Sequence, residues 1–371
     1  MMRLRKNPRE TGRWLKRTLE KSGPTYVKIG QFIGNRPDIF GNEISEEVSA
    51  LQNHVEPFKI TKKPEGLLHM EDDPFASASI AQVHMGKLKN GKNIVVKMKR
   101  PYIDETLKSE MNDIKNVFKM ATYLMPEMKS LLNWFEDFEK TITDELDFKK
   151  EIKNIKLFRN IYKNNAEVKI PAVVESMSTN DMIVMEYVPS KPIKNYSNPL
   201  QISENIMNMF VEQILYNGVI HGDLHAGNMG CTEDGRIVLY DFGNVIRIPE
   251  YYQNAMRRMI VAVQNKNSSE LLNAMRDMKM TIHNEKAAQD FAKFFFNYID
   301  TLDPKSFSYS STDIKVPIEL DNITLTIIRT YSLVEGICKN VYPQFTYERI
   351  IQQNIELLAI ERIVSLITQI S

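Results

Sequence analysis

Asp223 and Asn228 stand five residues apart in the stretch HGDLHAGN, and Asp241 opens a DFG tripeptide farther on. Between them lie a turn at Glu233-Asp234-Gly235 and a short apolar strand over 236–240. Two carboxylates and a carboxamide in that order suit transfer of a phosphoryl group. The first acid accepts the proton of an attacking hydroxyl, the amide oxygen takes one Mg²⁺, and the second carboxylate holds Mg²⁺ against the phosphates. Magnesium binds hard oxygen donors, so Asn228 and Asp241 suit it and His225 does not. The tripeptide HGD alone carries little information, because a polar turn before an ordinary strand contains similar residues. The informative unit is Asp223, Asn228 and Asp241 together, at these spacings.

Such a site also needs a cation for the phosphates and elements to hold it. Residues 93–99 form a β-branched run carrying Lys97, and Asn90-Gly91 just before it is a hairpin signal. Ser79–Leu88 reads as the partner strand. A lysine near the end of the second strand matches the one with which protein kinases grip the α and β phosphates. The segment over the phosphates is unusual. Residues 74–82 read PFASASIAQ, with no glycine until Gly86. Ala76, Ser77, Ala78 and Ser79 each carry a Cβ that disfavours positive φ, which predicts a nucleotide site with altered loop geometry. Met182–Val188 is a further apolar strand. In a kinase-like arrangement Met185 stands at the back of an adenine pocket, and backbone groups of Glu186 and Val188 bond the adenine edge.

These motifs resemble the ABC1/UbiB/ADCK family of atypical kinases, from about residue 13 to at least residue 245. The family's K-x-G-Q motif is Lys28-Ile29-Gly30-Gln31, its alanine-rich loop is Ala76-Ser77-Ala78-Ser79, and its E-x-D motif is Glu145-Leu146-Asp147. Its catalytic loop commonly has proline where this chain has Ala226, a change that removes stiffness but no chemical group. The resemblance implies an α+β, protein-kinase-like bilobal fold, with an N-terminal helical extension packed over the active site. Lys28 and Gln31, three apart on one helix face, would then lie near the nucleotide and occlude a protein substrate. ATP or ADP with Mg²⁺, or Mn²⁺ in its place, are the implied cofactors.

Residues 133–160 read as one long charged helix on which Asp147, Glu151 and Asn154 line one face. Glu151 is the first choice as the carboxylate that pairs Lys97, and Glu145 is the alternative. Glu145 and Asp147 are then left for Lys28 or the metal region.

The 371 residues accommodate an extension (1–70), a small lobe (71–188) and a helical large lobe (189–371). Strands are expected near 79–88, 93–99, 170–175 and 182–188. Hydrophobic content of 43% and charged content of 26% are ordinary for a soluble chain, and a net charge of +1 gives no reason to expect nucleic acid. Two cysteines, Cys231 and Cys338, form neither a metal pattern nor a disulfide framework, which fits a reducing compartment. No apolar run reaches the roughly 20 residues of a spanning helix, so a cytoplasmic or peripheral location is expected. The basic N-terminus (Arg3, Arg5, Lys6, Arg9, Arg13, Lys16, Arg17) either touches anionic lipid or forms a solvated face. The C-terminal stretch 351–371 reads as an amphipathic helix. No A-P-E follows the DFG, which argues against a regulated protein kinase.

Three classes of function follow. The first is an ABC1/UbiB-type kinase or ATPase linked to ubiquinone or other isoprenoid lipids. The second is a small-molecule phosphotransferase resembling aminoglycoside or choline kinases. The third is a non-catalytic nucleotide sensor. K-x-G-Q and E-L-D favour the first, and retention of Lys97, Asp223, Asn228 and Asp241 disfavours the third. The sequence does not specify the oligomeric state.

Overall fold

The computed structural model describes residues 7–34, 40–49, 51, 56–60, 63–124, 129–301, 318–346 and 350. The C-terminal stretch 351–371 and Arg3, Arg5 and Lys6 lie outside these. The chain divides into two compact units, the first made of Met1–Asn160, Pro171–Val188 and Asp241–Asn244.

Among the described residues, the first unit opens with the helices α1 (Pro8–Ser22), α2 (Pro24–Gly34) and α3 (Asn42–Ser49). Asn7 caps α1 by accepting from the Glu10 N–H, and Pro8 supplies a preset φ at the helix start. Glycines let these helices meet. A Cβ on Gly30 would come 2.1 Å from Leu51 Cδ1, and one on Gly34 would come 2.8 Å from the Ser49 Cα. The glycine of K-x-G-Q is therefore a packing residue. Leu19, Ile29, Ile33, Val48 and Leu51 share a core with residues of α4 (Ile103–Leu124) and α5 (Lys129–Leu146). Trp134 and Phe138 of α5 stack in it with ring centroids 6.2 Å apart.

An antiparallel sheet carries strands β1 (Leu67–Met70), β2 (Ala76–Ser77), β3 (Ala81–Leu88), β4 (Asn93–Lys99) and β6 (Met182–Glu186). Its order is β1-β3-β4-β6, with β2 also paired to β3. Gly91 takes φ 84° in the β3–β4 turn, and Asn90 Oδ1 accepts from the Lys92 N–H, so the asparagine–glycine pair makes the hairpin. Alternation along β4 buries Ile94 and Val96 with Met70 and Val184. Lys97 points to the opposite face.

The second unit comprises Ile161–Ile170, Pro189–Tyr240 and Val245–Ser371. Helix α7 (Pro199–Glu212) runs into a π-turn over Gln213–Asn217, and Gly218 ends it at φ 63°. Strands β7 (Val219–His221) and β10 (Val245–Arg247) pair antiparallel. Strand β9 (Ile237–Leu239) pairs antiparallel with β8 (Met229–Cys231) and parallel with β5 (Val168–Lys169). Helices α8 (Glu250–Gln264), α9 (Ser268–Asp277), α10 (Glu285–Thr301) and α11 (Asn322–Val341) follow. Between α9 and α11, β11 (Thr281–Ile282) pairs with β12 (Ile318–Glu319). No helix of the described residues is long and apolar enough to cross a membrane.

Two expectations are corrected. The helix expected over 133–160 is two helices: α5 ends at Leu146, and α6 (Phe148–Ile161) begins after Asp147. Asp147 Oδ1 accepts from the Lys150 N–H, so an aspartate starts a helix here rather than continuing one. The strand expected near 170–175 lies at Val168–Lys169, with one isolated bridge from Val173 to Met185. Pro171, which has no N–H to donate, falls between them.

Candidate functional site

Chemistry-bearing residues gather in two groups, one in each unit. In the second unit, β7 delivers the chain into the loop His221–Asn228. His221 is fully buried, and its N–H donates to Gln213 Oε1 at 2.9 Å, so the π-turn anchors the loop. Leu224 is also fully buried and fixes the loop from inside. Asn228 Nδ2 donates to the Asp223 carbonyl at 3.1 Å and to Asp223 Oδ2 at 3.2 Å. With the nitrogen so engaged, Oδ1 is the amide atom suited to a hard cation. His225 Nδ1 accepts from the Gly227 N–H at 3.0 Å, which leaves the neutral ring's proton on Nε2. That nitrogen lies 3.5 Å from Asp223 Oδ2. His225 thus acts as a loop brace.

In the first unit, Lys97 Nζ lies 2.7 Å and 2.9 Å from the two oxygens of Glu151 and 2.8 Å from Asp241 Oδ2. The ring of Phe148 stands 5.4 Å from Nζ. Register places Lys97 opposite Val83 and Ile183, in the centre of the sheet, where β3 and β6 hold its backbone on both sides. Glu151 is 1% exposed. Burial works against the Lys97 charge, but the Asp241 and Glu151 carboxylates overcome it and raise its pKa. Burial pushes the Glu151 carboxyl up to about 7, against the pull of the Lys97 ammonium. Two short contacts from one ammonium to both oxygens suit the carboxylate form, in which both oxygens accept.

Helix α6 also holds the DFG segment. Asn154 Nδ2 donates to the Phe242 carbonyl at 2.9 Å, and the Phe242 N–H faces Glu151 Oε1 at 3.4 Å. Phe242 is fully buried against Phe158, with centroids 5.2 Å apart. The Gly243 N–H donates to Asp241 Oδ1 at 2.9 Å, which orients that carboxylate. Phe148 and the bond from Asn154 to Phe242 had no sequence signal beyond helical spacing.

The remaining expected residues divide. Lys28 Nζ pairs with Glu145 Oε2 at 2.7 Å, and Gln31 is half-buried one turn farther along α2. Asp147 joins neither Lys28 nor the DFG group, because its side chain is spent on the cap of α6. Ala76 and Ser77 form β2, and Ala78 closes the turn by donating its N–H to the Ala81 carbonyl at 2.8 Å. No residue from Pro74 to Gln82 takes a positive φ. Ser79 is 2% exposed and Met185 5%. The Glu186 N–H is committed to the Ala172 carbonyl at 2.8 Å, and Val188 is half-buried beyond the strand end.

The DFG segment leads directly into β10, and α8 begins at Glu250. An activation segment of the protein-kinase kind has no room there. Among the described residues, no cluster of three or more His, Cys, Asp or Glu forms a metal site from protein groups alone. A magnesium site of the phosphoryl-transfer type needs only one or two protein oxygens plus phosphates, and the carboxylate of Asp241 and the amide oxygen of Asn228, each within its own unit, are hard donors of the kind such a site uses.

Comparison with known proteins bears on the family and the fold. The ABC1 atypical kinase-like domain matches residues 50–275, more than half of the chain. The chain is 26% identical, over 92% of its length, to Protein ACTIVITY OF BC1 COMPLEX KINASE 7, chloroplastic, of Arabidopsis thaliana. It is 32% identical, over 61% of its length, to the probable protein kinase UbiB of Cronobacter sakazakii. It spans 54% of the first relative's length and 45% of the second's. Among solved structures, Rv3197 of Mycobacterium tuberculosis, in complex with erythromycin, superposes with a TM-score of 0.59 at 21% identity, covering 75% of each chain. That likeness concerns the fold, which is α+β and kinase-like. The chain belongs to the ABC1 atypical kinase-like family, the family of the UbiB and ACTIVITY OF BC1 COMPLEX KINASE proteins.

Proposed function

We propose that the chain binds a magnesium–adenine nucleotide and transfers or hydrolyses its terminal phosphoryl group. The acceptor would be water or a small or lipid-soluble molecule rather than a protein in trans. The observation that carries this reading is Lys97, buried between Glu151 and Asp241 at 2.7–2.9 Å. A buried ion triad of this kind is expensive to desolvate, and phosphate oxygens give it a purpose.

In this reading Lys97 holds the α and β phosphates, and Glu151 keeps its ammonium aimed. Asp241 and the Asn228 amide oxygen would hold magnesium, which when bound neutralises charge on the phosphates. Asp223 accepts the proton of the attacking hydroxyl as the new O–P bond forms and the bond to ADP breaks. The turn Ala76–Ser79 covers the phosphates. Met185 and the backbone of Glu186 and Val188 face the adenine. Lys28 and Gln31 on α2 exclude peptide substrates. The relatives' names connect the family to UbiB, and a role in ubiquinone or other isoprenoid-lipid metabolism at an anionic membrane surface fits the basic residues of α1.

Thermal denaturation with Mg²⁺–ADP or Mg²⁺–ATP tests the reading. Ligand at a hundred times its Kd stabilises the folded chain by about 2.7 kcal/mol. Asp241→Asn removes the magnesium-dependent part of that shift. Equal shifts in wild type and variant refute the assignment. Strong phosphorylation of peptide arrays, lost in Asp223→Asn, would favour a protein kinase instead.

A further inference from the structure

The turn that stands where other kinases have a glycine-rich lid is tied down on three sides. Gln82, on β3 just after the turn, is fully buried. Its Oε1 accepts from the Phe58 N–H at 3.1 Å, and its Nε2 donates to the Phe58 carbonyl at 3.0 Å. A side-chain amide thus replaces a neighbouring strand and grips the segment 56–60. The other Nε2 proton goes to His84 Nε2 at 2.8 Å, while His84 Nδ1 donates to the Glu71 carbonyl at 3.0 Å. That second bond fixes the tautomer, so His84 Nε2 is an acceptor and the Gln82 amide has one orientation.

Arg100 makes the second tie. Its Nε donates to the Ala78 carbonyl at 3.0 Å and its Nη2 to Ser77 Oγ at 3.0 Å. The same guanidinium lies 5.5 Å from the Phe58 ring centroid. The Arg100 N–H donates to the Ile80 carbonyl at 2.9 Å. Ile80 is the third tie, because its side chain packs against the core to which α1–α3, α4 and α5 all contribute.

A glycine-rich lid opens by bending at its glycines. Here none occurs between Gly66 and Gly86, and no residue from Pro74 to Gln82 has positive φ. The turn cannot hinge within itself, so it moves only if its ties break.

We propose that Gln82, Arg100 and Phe58 are positioning residues that lock the Ala76–Ser79 turn to the segment 56–60, and that nucleotide leaves when this lock opens. The gating part rests on the nucleotide reading above.

The test uses the full chain with Gln82→Ala, Phe58→Ala, Arg100→Ala and Arg100→Lys. Lysine keeps the charge but cannot reach Ala78 and Ser77 together. Two measurements are made. The first is amide hydrogen exchange at Phe58 and Ala78 without nucleotide. The second is the dissociation rate of a fluorescent ADP in Mg²⁺. Losing the hydrogen bonds of one tie should speed both by roughly tenfold. Arg100→Lys should lie between wild type and Arg100→Ala. Faster exchange at Ala78 with an unchanged dissociation rate overturns the gating role. Unchanged exchange at Ala78 overturns the lock itself. If wild type binds no fluorescent ADP, the nucleotide reading fails, and gating with it, while the exchange measurement still decides whether the lock exists. Should Gln82→Ala fail to fold, Phe58→Ala and Arg100→Lys carry the test, since both side chains are half-buried.

Discussion

Replacing Lys97 with methionine keeps most of the side-chain volume and removes one charge from a buried triad. Two carboxylates lose their cation, but unequally. The Asp241 side chain is 41% exposed, so water takes over most of its solvation. Glu151 is 1% exposed and keeps only the Phe242 N–H at 3.4 Å. An uncompensated buried charge of that kind lowers stability by about 3–5 kcal/mol. Glu151 can escape the penalty by taking up a proton. Burial holds its pKa up at about 7 even beside the lysine, and loss of the lysine drives it higher still. A carboxyl whose folded-state pKa is raised favours folding in its neutral form. That stability is fully present below the unfolded pKa and is lost as pH rises through the folded one. The deficit of Lys97→Met relative to wild type should therefore be largest at about pH 8 and above, shrink by up to about 1.4 kcal/mol per pH unit as the pH falls to about 7, and level off below, where the carboxyl is protonated in both. Adding Glu151→Leu should restore most of the loss at pH 8. Guanidinium denaturation followed by tryptophan fluorescence reads this directly, because the chain has two tryptophans, Trp14 and Trp134, both in the first unit. A deficit that does not change with pH, or a double variant no more stable than Lys97→Met, refutes the reasoning.

Gly34→Ala should lower stability by about 1–3 kcal/mol, since its Cβ would meet the Ser49 backbone at 2.8 Å. Gly336→Ala, with nothing within 4 Å in the middle of α11, should raise it by about 0.5–1 kcal/mol in the same melting assay. Burial lowers the His84 pKa, so the unfolded chain takes up a proton that the folded chain refuses, and stability should fall as pH drops below the ordinary histidine value of 6.5. Denaturation curves at successive pH values should lose part of that slope in His84→Gln. Asp147→Ala should cost about 1 kcal/mol through loss of the α6 cap, with no change in nucleotide affinity by titration. Asn154→Ala leaves the Phe242 carbonyl buried without its side-chain donor and should lower stability by about 1–3 kcal/mol, visible as faster hydrogen exchange at Phe242 and Gly243.

Much of the fold could be read from local pattern. Asn90-Gly91 between two apolar runs is a complete hairpin instruction, and β3 and β4 stand where that signal puts them. Pro24 and the apolar spacing after it likewise mark α2. The break at Asp147 was hidden because charged residues at helical spacing continue across it, and only the cap geometry tells an interior aspartate from a starting one. The strand at Val168–Lys169 lies ahead of its expected place because the apolar pattern runs on past Pro171. The grip of Gln82 on Phe58 spans 24 residues and involves backbone atoms, which no periodicity records. The packing role of Gly30 is invisible for the same reason: a glycine announces freedom or closeness, and only the neighbours say which.

The interruption at Asp147 has an electrostatic and a mechanical consequence. Starting a new helix there puts Glu151 in its first turn, at the end where unpaired N–H groups gather positive potential. A continuous helix would have buried the same carboxylate at mid-length with no such support. The break also separates two ion pairs that a single rod would have joined. Glu145 stands on α5 and holds Lys28, whereas Glu151 stands on α6 and holds Lys97. One non-helical residue thus gives each carboxylate its own helix axis, so the aim of Glu151 at Lys97 is set by α6 and not by the direction of α5.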